Sequence, residues 1–261
     1  MLKGWLRVLH KNLFINLYLG FKFAFSYFSV LPMKFSNSDD LSSKGVLASM
    51  LLFFPLVGAV LGSLSIGLFL VLEGLSWYGA VASALFYMML YGFLHTEAVI
   101  DVADAIYASH SGKDAYQVIK DPTIGAMGML WAMGFVLLKV SGIVFLFMHS
   151  AFYEFISVLI VSRLTLLALF YSQTFKSSFV TQLKEAFTRT YLLVSFMLFT
   201  ILGLVLIELH FIALLLMGLI LAFGIVKFLN AKLGFINGDV LGTVLESVEI
   251  ALMLMVALLW I

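Results

Sequence analysis

The sequence predicts an all-α, polytopic transmembrane helical bundle, and three observations carry that prediction. Hydrophobic residues fill 63% of the 261 positions while charged residues fill only 11%. The mean hydropathy is +1.13. Apolar runs of about 18 to 27 residues recur from end to end, each long enough to cross a hydrocarbon layer of about 30 Å as a helix. No stretch carries the polar coat of a soluble domain, so residues 1 to 261 read as a single membrane-embedded domain.

The elements follow in order. The apolar stretch 13 to 31 contains Lys22, ends at Pro32 and is preceded by Lys3, Arg7 and Lys11. It predicts an N-terminal helix that is interfacial, re-entrant or spanning. It lacks the short apolar core and small-residue cleavage site of a secretion signal, so it reads as part of the mature chain. The polar link "KFSNSDDLSSK" (34 to 44) is too short to join two domains. Seven spans are then predicted at 46 to 72, 75 to 95, 123 to 148, 155 to 172, 191 to 207, 210 to 227 and 240 to 260. The first contains "GAVLG" (58 to 62), a small-residue pattern that suits close helix packing. The chain has no cysteine, which excludes disulfides and thiolate chemistry. A formal net charge of +1 gives no basis for binding nucleic acid.

Loop charge orients the bundle. With seven spans, links 34 to 45, 96 to 122, 173 to 190 and 228 to 239 fall on one side. They carry Lys34, Lys44, Lys113, Lys120, Lys176, Lys184, Arg189 and Lys232. The opposite links carry Glu73, His149, Glu154 and Glu208. Basic loops mark the cytoplasmic side, so a cell (inner) membrane protein with links 96 to 122 and 228 to 239 in the cytoplasm is expected.

Charge is concentrated where function is sought. Glu97, Asp101 and Asp104 stand at i, i+4 and i+7 and share one helix face. Three like charges at a membrane boundary are costly unless a cation or a protein partner compensates them, and oxygen-only donors suit Mg2+ or Mn2+ better than Zn2+. The plain alternative is a solvated cytoplasmic helix. "KDPTIGAMG" (120 to 128) joins Lys120 and Asp121 to Gly125 and Gly128 at the start of the next span. Such a turn can present backbone N–H groups and a cation to phosphate, or be an ordinary charged membrane-edge turn. "GFINGDVLGTVLE" (234 to 246) puts Asp239 at the inner mouth of the last span and Glu246 two turns deeper on the same face, with Glu249 close to that face. Arg163 is the only basic residue of its span and needs an anion, either a carboxylate of the protein or a substrate phosphate. His95, just before the acidic stripe, suits a base, a hydrogen-bond donor or a structural helix end.

These segments together resemble the integral-membrane cobalamin synthase family, the adenosylcobinamide-GDP ribazoletransferases. "FAFSYFSVLP" (23 to 32), "FPLVGAVLG" (54 to 62), "LHTEAVIDVADAI" (94 to 106), "VIKDPTIGAMG" (118 to 128), "VSR" (161 to 163) and "GFINGDVLGTVLE" (234 to 246) occur in the family's order and spacing. Within them Glu97 stands where the family has Asp, Ala98 and Ala105 where it has Gly, and Asn237 where it has Thr.

The resemblance implies a single membrane-embedded catalytic domain that joins adenosylcobinamide-GDP to α-ribazole or its 5′-phosphate. The products are adenosylcobalamin or its phosphate, and GMP. It implies Mg2+ as cofactor and Glu97, Asp101 and Asp104 as metal ligands. Lys120, Asp121, Gly125 and Arg163 are expected at substrate phosphate, and Asp239, Glu246 and His95 in catalysis. Expected partners are the two substrates and membrane lipid; a homo-oligomer is compatible with the sequence, and nucleic acid is not expected. Two other classes were weighed. A CDP-alcohol phosphatidyltransferase shares an acidic helix and a divalent metal, but its motif wants Gly and Arg where Ala98 and Val102 stand. A cation-coupled transporter wants inverted repeats that the sequence lacks.

Overall fold

The computed structural model describes residues 2–261, with side chains described from Asn12 onward. The chain forms twelve α-helices and, among the described residues, no strand. That follows from the solvent: in hydrocarbon a backbone must satisfy its own N–H and C=O groups. Among the described residues six helices are long and apolar enough to cross a membrane, and the spans number seven if the bent pair Trp77–Leu90 and Leu94–His110 is one. The six are α3 (Phe54–Val71), α7 (Ala126–Met148), α8 (Phe152–Ser172), α10 (Arg189–Ile207), α11 (His210–Leu233) and α12 (Gly238–Leu259). The remaining long helix, α1 (Leu2–Phe28), precedes α2 (Lys44–Leu52), against which it packs.

Two predicted spans are interrupted. The run 46 to 72 is split at Phe53 into α2 and α3, because Pro55 sits in the first turn of α3 and lacks the N–H that would continue the helix. The run 75 to 95 ends earlier than expected: α4 (Trp77–Leu90) stops, and α5 (Leu94–His110) leaves it at 79°. The elbow is Tyr91–Phe93, where Gly92 (φ +62°) and Phe93 (φ +55°) both take left-handed backbone. Glycine accepts that conformation freely, whereas Phe93 is held in it by its surroundings. The extended segment after α1 braces the elbow, since Val30 N–H donates to the Leu90 carbonyl at 2.8 Å.

Side-chain caps start several helices. Ser43 accepts from Val46 N–H, Ser177 from Val180 N–H before α9 (Ser178–Ala186), and Asn237 from Val240 N–H before α12. The "GAVLG" pattern packs α3 on α8: a Cβ at Gly58 would lie 2.8 Å from the Arg163 side chain, and one at Gly62 would lie 2.6 Å from Leu159.

The helix ends separate into two faces of the bundle. On one, Lys176 N–H donates to the Ile236 carbonyl at 2.8 Å, and the Lys176 ammonium lies 3.8 Å from the ring of Tyr116 in α6 (Ala115–Ile119). Links 111 to 125, 173 to 177 and 234 to 237 therefore meet, as the count of spans predicts. On the other face the His210 and Trp260 rings stand 5.0 Å apart, and Glu154, Glu208 and His210 line one depression.

Candidate functional site

Helix α5 packs between α7 and α12 and carries the acidic stripe to the first of these faces. Glu97 is exposed there, while Asp101 and Asp104 are half-buried. Asp239, in the first turn of α12, completes the group: Asp101 lies within electrostatic reach of Asp239, Glu97 and Asp104. The helices can close in this way because position 242 is glycine, where a Cβ would meet that of Ala98 at 2.7 Å. Thr243 fastens the pair by donating to the Ala98 carbonyl at 3.0 Å. Among the described residues, no Lys or Arg forms an ion pair with Glu97, Asp101, Asp104 or Asp239.

Asp104 also has a structural task. Its two oxygens accept from the Gly125 and Gly128 N–H groups, both at 2.7 Å. The anion held by this turn is thus a carboxylate of the protein, placed at the N-terminus of α7 where the helix dipole favours negative charge. Lys120 and Asp121 are exposed. The Lys120 ammonium lies 4.2 Å from the Tyr116 ring. Hydrogen bonds from the Thr123 hydroxyl and amide hold the Asp121 carboxyl below the usual carboxylate range.

Two predicted site residues lie elsewhere. Glu246 and Arg163 belong to a closed network in the bundle interior, and Lys139 of α7 is its centre. Lys139 Nζ lies 2.7 Å from Glu246 Oε2 and 2.8 Å from Glu249 Oε2. Arg163 pairs with Glu249 and donates to the Tyr87 hydroxyl at 3.0 Å. Tyr91 donates to Glu246 Oε1 at 2.9 Å, accepts from Lys139 at 3.3 Å and meets the Thr96 hydroxyl at 3.1 Å. Two acids and two bases thus balance inside the membrane, where an unpaired charge would be costly. Glu246 is only 1% exposed, so its charge is held by Lys139 and Tyr91 and not by a hydrated cavity.

The sequence reading missed Lys139, Tyr87 and Tyr91. A lone lysine in a 23-residue apolar helix was the available signal, since an ionisable residue at that depth implies a partner.

His95 lies between the two groups, its ring stacked on that of Tyr91 in the interior network. It lies in the wall of a cavity beside the acidic end, lined also by Tyr27, Phe54, Phe170, Phe179 and Asp239.

As to a metal, the donors at the acidic end are all carboxylate oxygens without a cation partner, which fits Mg2+. Among the described residues no three acids or histidines converge into a ready-made cage. That also fits an ion that keeps waters and substrate phosphates among its ligands.

The family model described as cobalamin-5-phosphate synthase matches residues 20–257. The chain is 27% identical over 246 residues to an adenosylcobinamide-GDP ribazoletransferase of Clostridium perfringens, covering 89% of this chain and 94% of that protein. It is 29% identical over 241 residues to the Chlorobaculum parvum protein of the same description, with 89% and 92% covered. A third, from Pseudomonas syringae pv. syringae, is 28% identical over 250 residues, with 92% and 100% covered. No solved structure matches the chain.

Proposed function

The chain belongs to the cobalamin-5-phosphate synthase family, and we propose that its acidic end is the seat of an Mg2+-assisted transfer from adenosylcobinamide-GDP to ribazole. The activity is that of an adenosylcobinamide-GDP ribazoletransferase, the final step of cobalamin nucleotide-loop assembly. With that membership the phosphatidyltransferase and transporter readings lapse.

In this reaction a ribazole hydroxyl oxygen bonds to the phosphorus on the cobinamide side. The diphosphate P–O bond breaks, GMP leaves, and the hydroxyl proton must be accepted. The observation that carries the site assignment is the gathering of Glu97, Asp101, Asp104 and Asp239 at one end, without a counter-cation, beside a cavity. Glu97 and Asp101 are free of the cap that occupies Asp104, so they are the first choice for holding Mg2+, with Asp104 fixing the turn and lending a further oxygen. What a divalent ion supplies in such a place is charge neutralisation of the diphosphate and orientation of its reacting oxygens.

Asp239 is half-buried at the cavity and takes the hydroxyl proton; Asn237 donates to it at 2.7 Å and fixes its orientation. Glu246, sealed against Lys139, is a positioning residue in this scheme, and so is Arg163. Lys120 and Lys176, both drawn to the Tyr116 ring, add positive charge on the same face for incoming phosphate. The loop-charge argument puts this face in the cytoplasm of a multi-pass protein of the inner membrane.

The test is GMP release by the purified chain in detergent. It should require both substrates and Mg2+, and Asp101→Asn should lower it about 10- to 100-fold with the protein still folded. Full turnover in EDTA, or in Asp101→Asn at ordinary Mg2+, would overturn the metal assignment.

A further inference from the structure

The cavity beside the acidic helix has a composition that the transfer chemistry alone does not require. Its volume is about 140 Å3. Its walls are rings and aliphatic chains: Tyr27 from α1, Phe54 from α3, Phe170 from α8 and Phe179 from α9, with the Tyr27 and Phe179 rings 5.4 Å apart and inclined at 37°. Polar groups are few. Asp239 lies at one side, and His95 reaches it from α5.

His95 is 6% exposed and lines the cavity; among the described residues its ring makes no hydrogen bond, and its nitrogens are not among the sealed polar atoms that lack a partner. An imidazole nitrogen that the protein leaves open to a cavity can meet a polar group that enters. Its orientation is fixed: the Tyr91 ring stacks on it at 5.6 Å and 26°. Across the helix pair, a Cβ at Gly242 would lie 3.6 Å from Nδ1.

Size and polarity select the occupant. An apolar cavity of about 150 Å3 holds one benzene-sized ring, so this one admits the edge of a flat bicyclic base and excludes a corrinoid macrocycle. A neutral imidazole offers one N–H and one lone pair. Guanine brings a carbonyl, a ring N–H, an amino group and further ring nitrogens, most of which would go unpaired against phenylalanines, and each unpaired buried group is costly. A benzimidazole joined to ribose through one nitrogen has a single polar atom left, its other ring nitrogen, which is an acceptor.

We propose that this cavity is the seat of the ribazole base. His95 N–H donates to the base nitrogen that is not bonded to ribose. Tyr27, Phe54, Phe170 and Phe179 flank the edge of the base that enters. Asp239, in the same wall, then faces the ribose whose hydroxyl reacts, while the acidic stripe faces the diphosphate. The proposal rests on the ribazoletransferase reading and deepens it: His95 becomes a residue that selects the acceptor's base.

The experiment uses the purified full chain in detergent and titrates ribazole calorimetrically without the second substrate. The indole riboside, which lacks the acceptor nitrogen, is titrated alongside. Wild type should bind the indole compound about tenfold more weakly than ribazole, and His95→Phe should bind both alike. Phe179→Ala should weaken both ribosides, and the KM for adenosylcobinamide-GDP should stay within about twofold in either variant.

Equal binding of the two ribosides by wild type overturns the proposal whether or not the variants fold. So does a loss confined to adenosylcobinamide-GDP or GMP, which would put guanine in the cavity. Failure of wild type to release GMP from the two substrates would strike the underlying activity instead, while the titrations would still report on the pocket.

Discussion

Lys139 Nζ lies 2.7 Å from Glu246 Oε2, with both side chains sealed from solvent and joined across 107 residues of sequence. The pair is the hub of an interior network in which each acid has a base and each base an acid. Removing one member of such a pair leaves a buried charge without compensation, which costs about 3–5 kcal/mol, whereas removing both is much milder. Lys139→Met should therefore lower thermal stability in detergent sharply, and Lys139→Met with Glu246→Gln should recover much of it. A double variant no more stable than the single one would break this account.

Tyr91 links that network to the acidic helix α5, because its hydroxyl touches Glu246, Lys139 and Thr96, one residue before Glu97. Tyr91→Phe keeps the ring that stacks on His95 and removes only the oxygen. The expected cost is about 1–3 kcal/mol of stability. If the elbow sets the placement of α5, kcat should fall more than either KM. Unchanged melting temperature and unchanged kcat would show that the hydroxyl is dispensable.

Gly128 lies against Asp104 so closely that an added Cβ would come within 2.5 Å of its Oδ2 and 2.6 Å of the Ile100 carbonyl. The second contact is backbone and cannot turn aside. Gly128→Ala should push α5 and α7 apart, break the Asp104 cap and lower activity by about tenfold or more, since small misplacements of reacting groups are costly. The check is turnover measured together with membrane insertion. Wild-type turnover in Gly128→Ala would mean that the helices have more room than the contacts indicate.

The two bundle faces give a topology test in a chain with no cysteine. Ser111→Cys and His149→Cys place single thiols on opposite faces, both at exposed positions. An impermeant thiol reagent applied to intact cells should label position 149 and spare position 111. The reverse pattern would put the acidic end outside and invert the assignment.

Much of this was legible in the sequence because hydrocarbon imposes so simple a rule on the chain. Apolar runs located α7, α8, α10 and α12 to within three residues and the start of α11, which runs on to Leu233 through the first half of the predicted link 228 to 239, and charged links sorted the ends. The elbow at Tyr91–Phe93 was not legible: averaging hydropathy over a span blurs a turn of three residues, and Gly92 was the one local hint. The break between α2 and α3 was not read either, since the span 46 to 72 was carried through Pro55. The stripe of Glu97, Asp101 and Asp104 followed from helical spacing, and its meeting with Asp239 from the likeness of the two segments to one family. The partners of Glu246 and Arg163 did not follow, because pairing between distant helices leaves no periodic trace. Lys139 could have been found only by asking which cation answers each buried acid.

The long reach of the Lys139–Glu246 pair has a consequence for how the protein is made. At 5–20 residues per second, roughly 5 to 20 s separate the synthesis of the lysine from that of its partner. During that interval α7 enters or approaches the bilayer with an ammonium and no counter-ion, at a cost of about 2.5–3.5 kcal/mol near the membrane centre. A helix made later, α12, is therefore the one that neutralises the lysine of an earlier helix in lipid. A nascent chain stopped before residue 246 would keep the Lys139 ammonium without this partner in the membrane.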